Sequence, residues 1–329
     1  MAMSNMAMSN SDTLVTIFGG SGFLGRHVVQ ALAPDFWRMR VAVRRPDLAG
    51  HLQPLGRVGQ IHAVQANLRN AESVAAAVRD SAVVINLVGV LFERGKQSFE
   101  AVHVEGAATV ARAAAAQGAR LIHVSAIGAD PDSSALYART KGEAERAVLA
   151  AAPDAVILRP SVIFGPDDAF FNKFAAMARI APALPLIGGG HTRFQPVFAG
   201  DVAAAVRKAV AGEATPGTVY ELGGPEVATF KELMRLVLDI TQRRRLLVPV
   251  PFFAAKLLGS VLKVLPTPPL TPDQVELLKT DNVVSEAATR ENRTLAGLGI
   301  AAHTMAAVVP SYLWRYRRTG QFKSRRSLA

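Results

Sequence analysis

The chain has 329 residues, half of them hydrophobic, which is enough to bury one large core or two smaller ones. It has no cysteine, which excludes disulfides, thiolate metal sites and thiol chemistry; its seven histidines show no metal-binding spacing, and no metal is expected. A net charge of +11, from 37 Lys+Arg against 26 Asp+Glu, asks for an anionic partner, and no uninterrupted apolar run reaches the ~18 residues of a membrane span.

The pentapeptide Met-Ala-Met-Ser-Asn occurs twice at the start. It has neither the arginines of a mitochondrial presequence nor the apolar core of a signal peptide, so residues 1–11 read as a disordered leader. The stretch from Thr13 to Gly25 reads as a short apolar strand, a glycine-rich turn and then the amphipathic helix Arg26–Leu32. A helix start offers unpaired N–H groups and a positive dipole end, and glycines let a pyrophosphate approach the backbone. Two registers fit, Gly19/Gly22/Gly25 and Gly20/Gly22/Gly25, with Ser21, Phe23 and Leu24 completing the predicted contact.

The second strand, Met39–Val43, ends in Arg44 and Arg45, about 20 residues past the glycines, where ribose specificity is set. An Asp or Glu there would accept a ribose 2′-hydroxyl; two guanidiniums instead suit a 2′-phosphate, so NADP(H) is expected over NAD(H). Asn67 and Leu68 follow the third strand, where adenine would lie. Leu87, Val88 and Gly89 close the fourth, and Pro160 and Val162 follow the sixth.

Apolar runs at 13–18, 40–43, 61–65, 82–88, 119–124 and 155–158 alternate with helical patterns, notably Phe99–Ala116 and Ser134–Ala151. That alternation predicts an α/β fold, a doubly wound parallel sheet of Rossmann type. The Rossmann core is expected over 12–165. Beyond Pro160 proline and glycine become frequent, and helices without matching strands are expected. Residues 166–320 therefore read as a smaller, mostly helical lid and docking part interleaved with the core, followed by a basic tail at 321–329. A cleft for substrate or partner is expected between the two parts.

Ser125 ends the fifth strand, and Tyr137 and Lys141, at i and i+4, share one helix face. An ammonium beside a phenol favours phenolate, so Tyr137 is the candidate general acid or base, Lys141 its modulator and Ser125 the group that orients a substrate oxygen.

Two later segments carry their own signal. In Pro251–Pro266, Lys256, Ser260 and Lys263 fall on one stripe at ~100° per residue, and apolar side chains cover the rest. Such a helix either lies at a membrane interface or partner groove, or covers the protein's own core with its lysines outward. Arg243–Arg245, just before it, suits anionic headgroups or an acidic subunit. The run from Tyr312 to Arg326 interleaves aromatics with cations; a protein partner ranks first, a membrane surface with Trp314 and Tyr316 at headgroup depth second, and nucleic acid is unlikely.

The glycine motif, Ser125, Tyr137-x-x-x-Lys141 and Leu158-Arg-Pro-Ser161 resemble the extended and atypical short-chain dehydrogenase/reductases. Within them, Phe99–Gly106, Leu270–Val284 and Val309–Tyr316 are similar to the NAD(P)H-binding accessory subunits of respiratory complex I, and the resemblance spans about residues 13–320. It implies NADPH held as a structural element, other complex I subunits as partners, and a peripheral position near the junction of hydrophilic arm and membrane. That position is the cytoplasmic face of a bacterial inner membrane or the matrix face of the mitochondrial one. The interval from Ser125 to Tyr137 is shorter than in typical extended reductases, which puts ordinary active-site geometry in doubt. The competing expectations are a working NADPH-dependent reductase or epimerase on an apolar alcohol or ketone, and a sensor of cofactor redox state.

Overall fold

A computed structural model describes residues 10, 12–263, 265–266 and 268–319. The basic tail at 321–329 and all of the expected leader but Asn10 lie outside them. Asn10 itself donates a hydrogen bond to the Asp35 carbonyl (3.0 Å). The chain divides into two units, one built from residues up to Pro160 with Gly200–Leu222 and Glu286–Ile300, the other from Ser161–Ala199, Gly223–Ser285 and Ala301 onward.

The first unit holds a seven-stranded sheet. Its strands are β1 (Leu14–Phe18), β2 (Arg38–Val43), β3 (Ile61–Gln65), β4 (Val83–Asn86), β5 (Arg120–Val124), β6 (Val156–Pro160) and Val219–Leu222, in the order seventh–β6–β5–β4–β1–β2–β3, all parallel. Every residue of β1 and β4 is buried, as expected of central strands covered on both faces. Six of the seven fall where the apolar runs predict. The seventh was not expected, because Val219-Tyr-Glu-Leu is short and carries a charge at its centre.

Helix α1 (Phe23–Leu32) follows β1 and begins three residues earlier than its amphipathic pattern suggests. Helices α2 (Ala71–Val78), α3 (Glu105–Ala116) and α4 (Leu136–Ala151) pack one face of the sheet through Phe18, Ala42, Val84 and Leu121. Small residues on α3, among them Ala107, Ala111 and Ala114, allow the close layer. A π-helical turn, Glu100–Val104, opens the α3 segment. It inserts an extra residue in the first turn, as often happens beside functional sites.

One half-buried ion-pair network, with Glu145 buried, fixes α4. Arg159 on β6 donates to Glu145 of α4 through Nε (2.9 Å) and Nη2 (2.6 Å), and its Nη1 lies 3.7 Å from Glu221 on the seventh strand. The seventh strand thus completes the charge balance of β6 as well as its backbone pairing.

The second unit corrects the expectation of helices without strands. It contains β7 (Ile163–Phe164), β8 (Ala183–Ile187), β9 (Arg193–Phe194), β10 (Val197–Phe198), β12 (Ala228–Thr229) and β13 (Leu246–Val250), with β11 being Val219–Leu222 of the large sheet. They form three two-stranded pairs, β7 with β10, β9 with β12 and β8 with β13. Phe164, Phe171, Phe194 and Phe230 centre its core. Tyr312 and Leu313 are buried in the same core, and the Tyr312 hydroxyl donates to Asp168 (2.7 Å). Arg315 reaches Asn172 (2.6 Å) and the Pro166 carbonyl (3.1 Å). The aromatic-basic run up to Tyr316 therefore anchors its own unit instead of forming a free tail. Trp314 and Tyr316 are half-buried.

Leaving Glu145 buried without its guanidinium should cost about 3–5 kcal/mol. Arg159→Ala is expected to lower the urea midpoint accordingly, and the pair Arg159→Met with Glu145→Leu to recover most of the loss.

Candidate functional site

After β1 the chain turns through Gly19 at φ 79°, a conformation that favours glycine. Gly22 N–H donates to the Gly19 carbonyl (3.0 Å), and Arg26 N–H to Gly22 (3.1 Å). A Cβ on Gly25 would lie 2.3 Å from the Gly19 carbonyl oxygen, and one on Gly20 would lie 2.6 Å from Val41 Cγ1. Both candidate registers are therefore used: Gly19 for the bend, Gly20 for seating the turn on β2, and Gly25 for letting α1 start against it. At Gly22 only Gly19 O stands within contact range, so the exposed side of the turn is clear.

Helix α1 starts with Gly22 as its N-cap, with no side-chain cap and no acidic residue in its first turn. That is the environment a pyrophosphate needs, so the residues present fit a dinucleotide.

Leu87, Val88, Asn67, Leu68, Arg44 and Arg45 follow the C-terminal ends of strands β4, β3 and β2. Leu87 N–H donates to Phe18 O (3.0 Å), and Val88 N–H to Asn86 Oδ1 (3.1 Å), which holds the β4 loop beside the glycine turn. Asn67 is braced by Ser73 Oγ at its N–H (3.0 Å), and Leu68 lies against Gly106. Arg44 and Arg45 are both exposed, but they differ. Arg45 is held by Asp47 in a bidentate pair (3.0 and 2.7 Å), whereas Arg44 has no partner among the described residues. Pro160 is buried and accepts from Ile127 N–H (3.0 Å). Val162 belongs to the other unit, where its N–H donates to Asn282 Oδ1 (3.1 Å).

Ser125 is buried at the end of β5, and its Oγ has no hydrogen-bond partner. An orphaned buried hydroxyl is a group a ligand would satisfy. Lys141 is also buried; its Nζ donates to the Val124 carbonyl (3.2 Å) and lies 3.4 Å from where a Cβ on Gly89 would be. Burial lowers its amine to about 8, against an opposing pull from Glu145. Gly142, the next residue, lets α4 meet the loop at Pro131, where a Cβ would stand 2.4 Å from the Pro131 nitrogen.

Sequence reasoning missed His103. Its ring stacks on Phe99 (5.2 Å), and Tyr137 meets both rings edge-on (5.3 and 5.8 Å). Val90 N–H donates to His103 Nε2 (3.1 Å), so the neutral ring carries its proton on Nδ1, toward Thr140 Oγ1 (3.1 Å). Burial, reinforced by the Lys141 ammonium, drops both His103 and His123 to about 3. The i, i+4 spacing of Phe99 and His103 was the available signal. His103 links the β4 loop to α4, and so positions Tyr137 relative to Gly89. A bound nicotinamide would supply hydride chemistry; Tyr137, Lys141 and Ser125 would orient and protonate an oxygen beside it.

Residues 15–223 match the NAD dependent epimerase/dehydratase family. The chain belongs to that family. It is similar to the NADH dehydrogenase [ubiquinone] 1 alpha subcomplex subunit 9, mitochondrial, of Arabidopsis thaliana, 36% identical over 95% of this chain and 80% of the relative. It is also similar to the ceramide reductase of Caulobacter vibrioides, 38% identical over 53% of this chain and 54% of the relative. Among solved structures, the dTDP-glucose 4,6-dehydratase DesIV of Streptomyces venezuelae with NAD bound superposes with a TM-score of 0.68 at 19% identity, covering 92% of this chain and 96% of that one. The doubly wound nicotinamide-cofactor fold is thereby established.

Two outcomes test the site. Gly25→Ala must push α1 off the turn, so nucleotide affinity should fall at least tenfold, roughly 1.4 kcal/mol, in a fluorescence titration. If the Lys141 ammonium holds the ligand, deprotonation above about 8 removes the binding form, whereas below that value the charge is complete. Affinity should therefore stay level at acidic pH and fall by up to about tenfold per unit on the alkaline side. Lys141→Met should flatten that profile.

Proposed function

We propose that this chain is an accessory subunit of respiratory complex I that keeps NADP(H) as a structural ligand. The observation that carries the assignment is the near-full-length similarity to a complex I subunit, 36% identical over 95% of the chain. The unpaired Arg44 beyond β2 supports a 2′-phosphate, because a guanidinium binds phosphate through paired, charge-assisted bonds. Arg45 would contribute only by giving up Asp47. A free cofactor at a thousand times its dissociation constant stabilises a fold by about 4 kcal/mol with no turnover.

After α5 (Phe171–Ile180), α6 (Ala199–Val210) and α7 (Phe230–Ile240) comes helix α8 (Phe252–Leu262), whose surface supports a peripheral position. Its inward residues, Ala255 and Gly259, are small, and Gly259 packs on Thr271 and Pro272. Apart from Phe252, which packs against Gly188, most of its large residues face out, Phe253 being 78% exposed, Leu257 70% and Val261 66%. A helix lidding its own core would turn these side chains inward, and their exposure supports a membrane surface or another subunit as what covers this face. Among the described residues no helix is long and apolar enough to cross a membrane. The cytoplasmic face of a bacterial inner membrane, or the matrix face of a mitochondrial one, is the corresponding location.

The retained trio of Ser125, Tyr137 and Lys141, with the similarity to a ceramide reductase, favours one second reading: an NADPH-dependent reductase of an apolar ketone or alcohol. Tyr137→Phe separates the two. Complex assembly and NADH:quinone activity should be unchanged in the structural reading, and loss of a measurable ketone reduction would support the enzymatic one. Arg44→Asp should weaken NADPH binding by an order of magnitude or more and leave NADH nearly unaffected; equal loss for both cofactors would refute the 2′-phosphate assignment.

A further inference from the structure

On the second unit, Arg235, Asp239, Arg243, Arg244, Arg245 and Leu247 line an open basin of about 380 Å³. Four guanidiniums face a single carboxylate there, and among the described residues no ion pair joins Asp239 to them. Two of the arginines are fixed in place: Arg243 Nε donates to the Tyr316 carbonyl (2.9 Å) and Arg245 Nε to the Ala178 carbonyl (2.8 Å). Arg245 Nη1 also donates to the Arg244 carbonyl (3.2 Å), so both guanidinium groups are held in place without further ordering cost while Arg245 keeps its Nη2 for a ligand. Burial, together with the nearby charges of Arg245, Arg318 and Arg179, lowers the Arg243 guanidinium below its ordinary value. With only Asp239 in the basin and Glu232 near Arg235 as counter-charges, this density of cations favours an anion, and arginine forks match phosphate in particular.

Strand β13 runs directly from Arg245 through Leu246, 71% exposed, and Val248, 44% exposed, to the outward apolar face of α8. A soluble phosphate has no use for an apolar margin, whereas a lipid presents its phosphate at the edge of its acyl chains. We infer that the arginine basin binds the phosphate headgroup of an anionic phospholipid whose chains lie along β13 and α8. The inference rests on the reading of α8 as a membrane-contact helix and adds a discrete headgroup site to it.

The test is flotation of the full chain with phosphatidylcholine vesicles containing phosphatidylglycerol, or containing oleate at the same zeta potential. The phosphatidylglycerol vesicles should bind more tightly. Arg235→Gln with Arg244→Gln, both exposed positions, should lower that affinity about tenfold or more, and Arg235→Lys with Arg244→Lys should recover little of it. Equal binding to oleate vesicles, or full recovery by lysine, would show diffuse charge and overturn the headgroup site while leaving the membrane reading intact. Binding to neither vesicle would overturn both readings. Saturation of the basin by inorganic phosphate alone, seen as a thermal shift lost in the Gln variant, would overturn the lipid source. Leu257→Glu with Val261→Glu should abolish flotation on both vesicle types with an unchanged melting temperature.

Discussion

The close approach of Gly25 to the Gly19 carbonyl is the constraint on which the rest of the first unit depends. With no Cβ in that contact, α1 begins immediately after the turn, and its first N–H groups are left without a cap or an acidic neighbour. The β4 loop and Ser125 follow the C-terminal ends of parallel strands of the same sheet. A bulkier residue at position 25 would displace the helix from the sheet and disperse the donors it presents.

The second determinant is the placing of α4. Arg159 ties it to β6 through Glu145, Gly142 seats it on the Pro131 loop, and the His103–Thr140 bond joins it to the π-helical turn. Held at these three points, the helix buries the Lys141 amine against the Val124 carbonyl. Burial of that amine disfavours its charge, so the site carries a cost that a bound ligand's polar groups would offset. A cofactor that stabilises the fold without reacting is consistent with such a site.

Much of this was legible in the sequence because it is encoded locally. The glycine turn and six parallel strands each follow from spacing within a short window. What was not legible depends on partners far along the chain. Strand β11 has a weak signal of its own and is defined by β6 and by Glu221 near Arg159. Tyr312 is an interior residue because Asp168, 144 positions earlier, accepts its hydroxyl. Arg45 looks equivalent to Arg44 in sequence, yet Asp47 occupies it. The wide helical face at Pro251–Pro266 gives no inward side by spacing alone, because which residues are buried, Ala255 and Gly259, depends on distant partners.

The account's central claim is that a nicotinamide dinucleotide bearing a 2′-phosphate stays on the protein as part of its structure. The most direct measurement is native mass spectrometry of the full chain purified without added nucleotide, followed by identification of whatever denaturation releases. The account predicts one NADP(H) per chain. A well-folded chain that releases no nicotinamide nucleotide, and whose melting temperature does not move when NADPH is added, would contradict it.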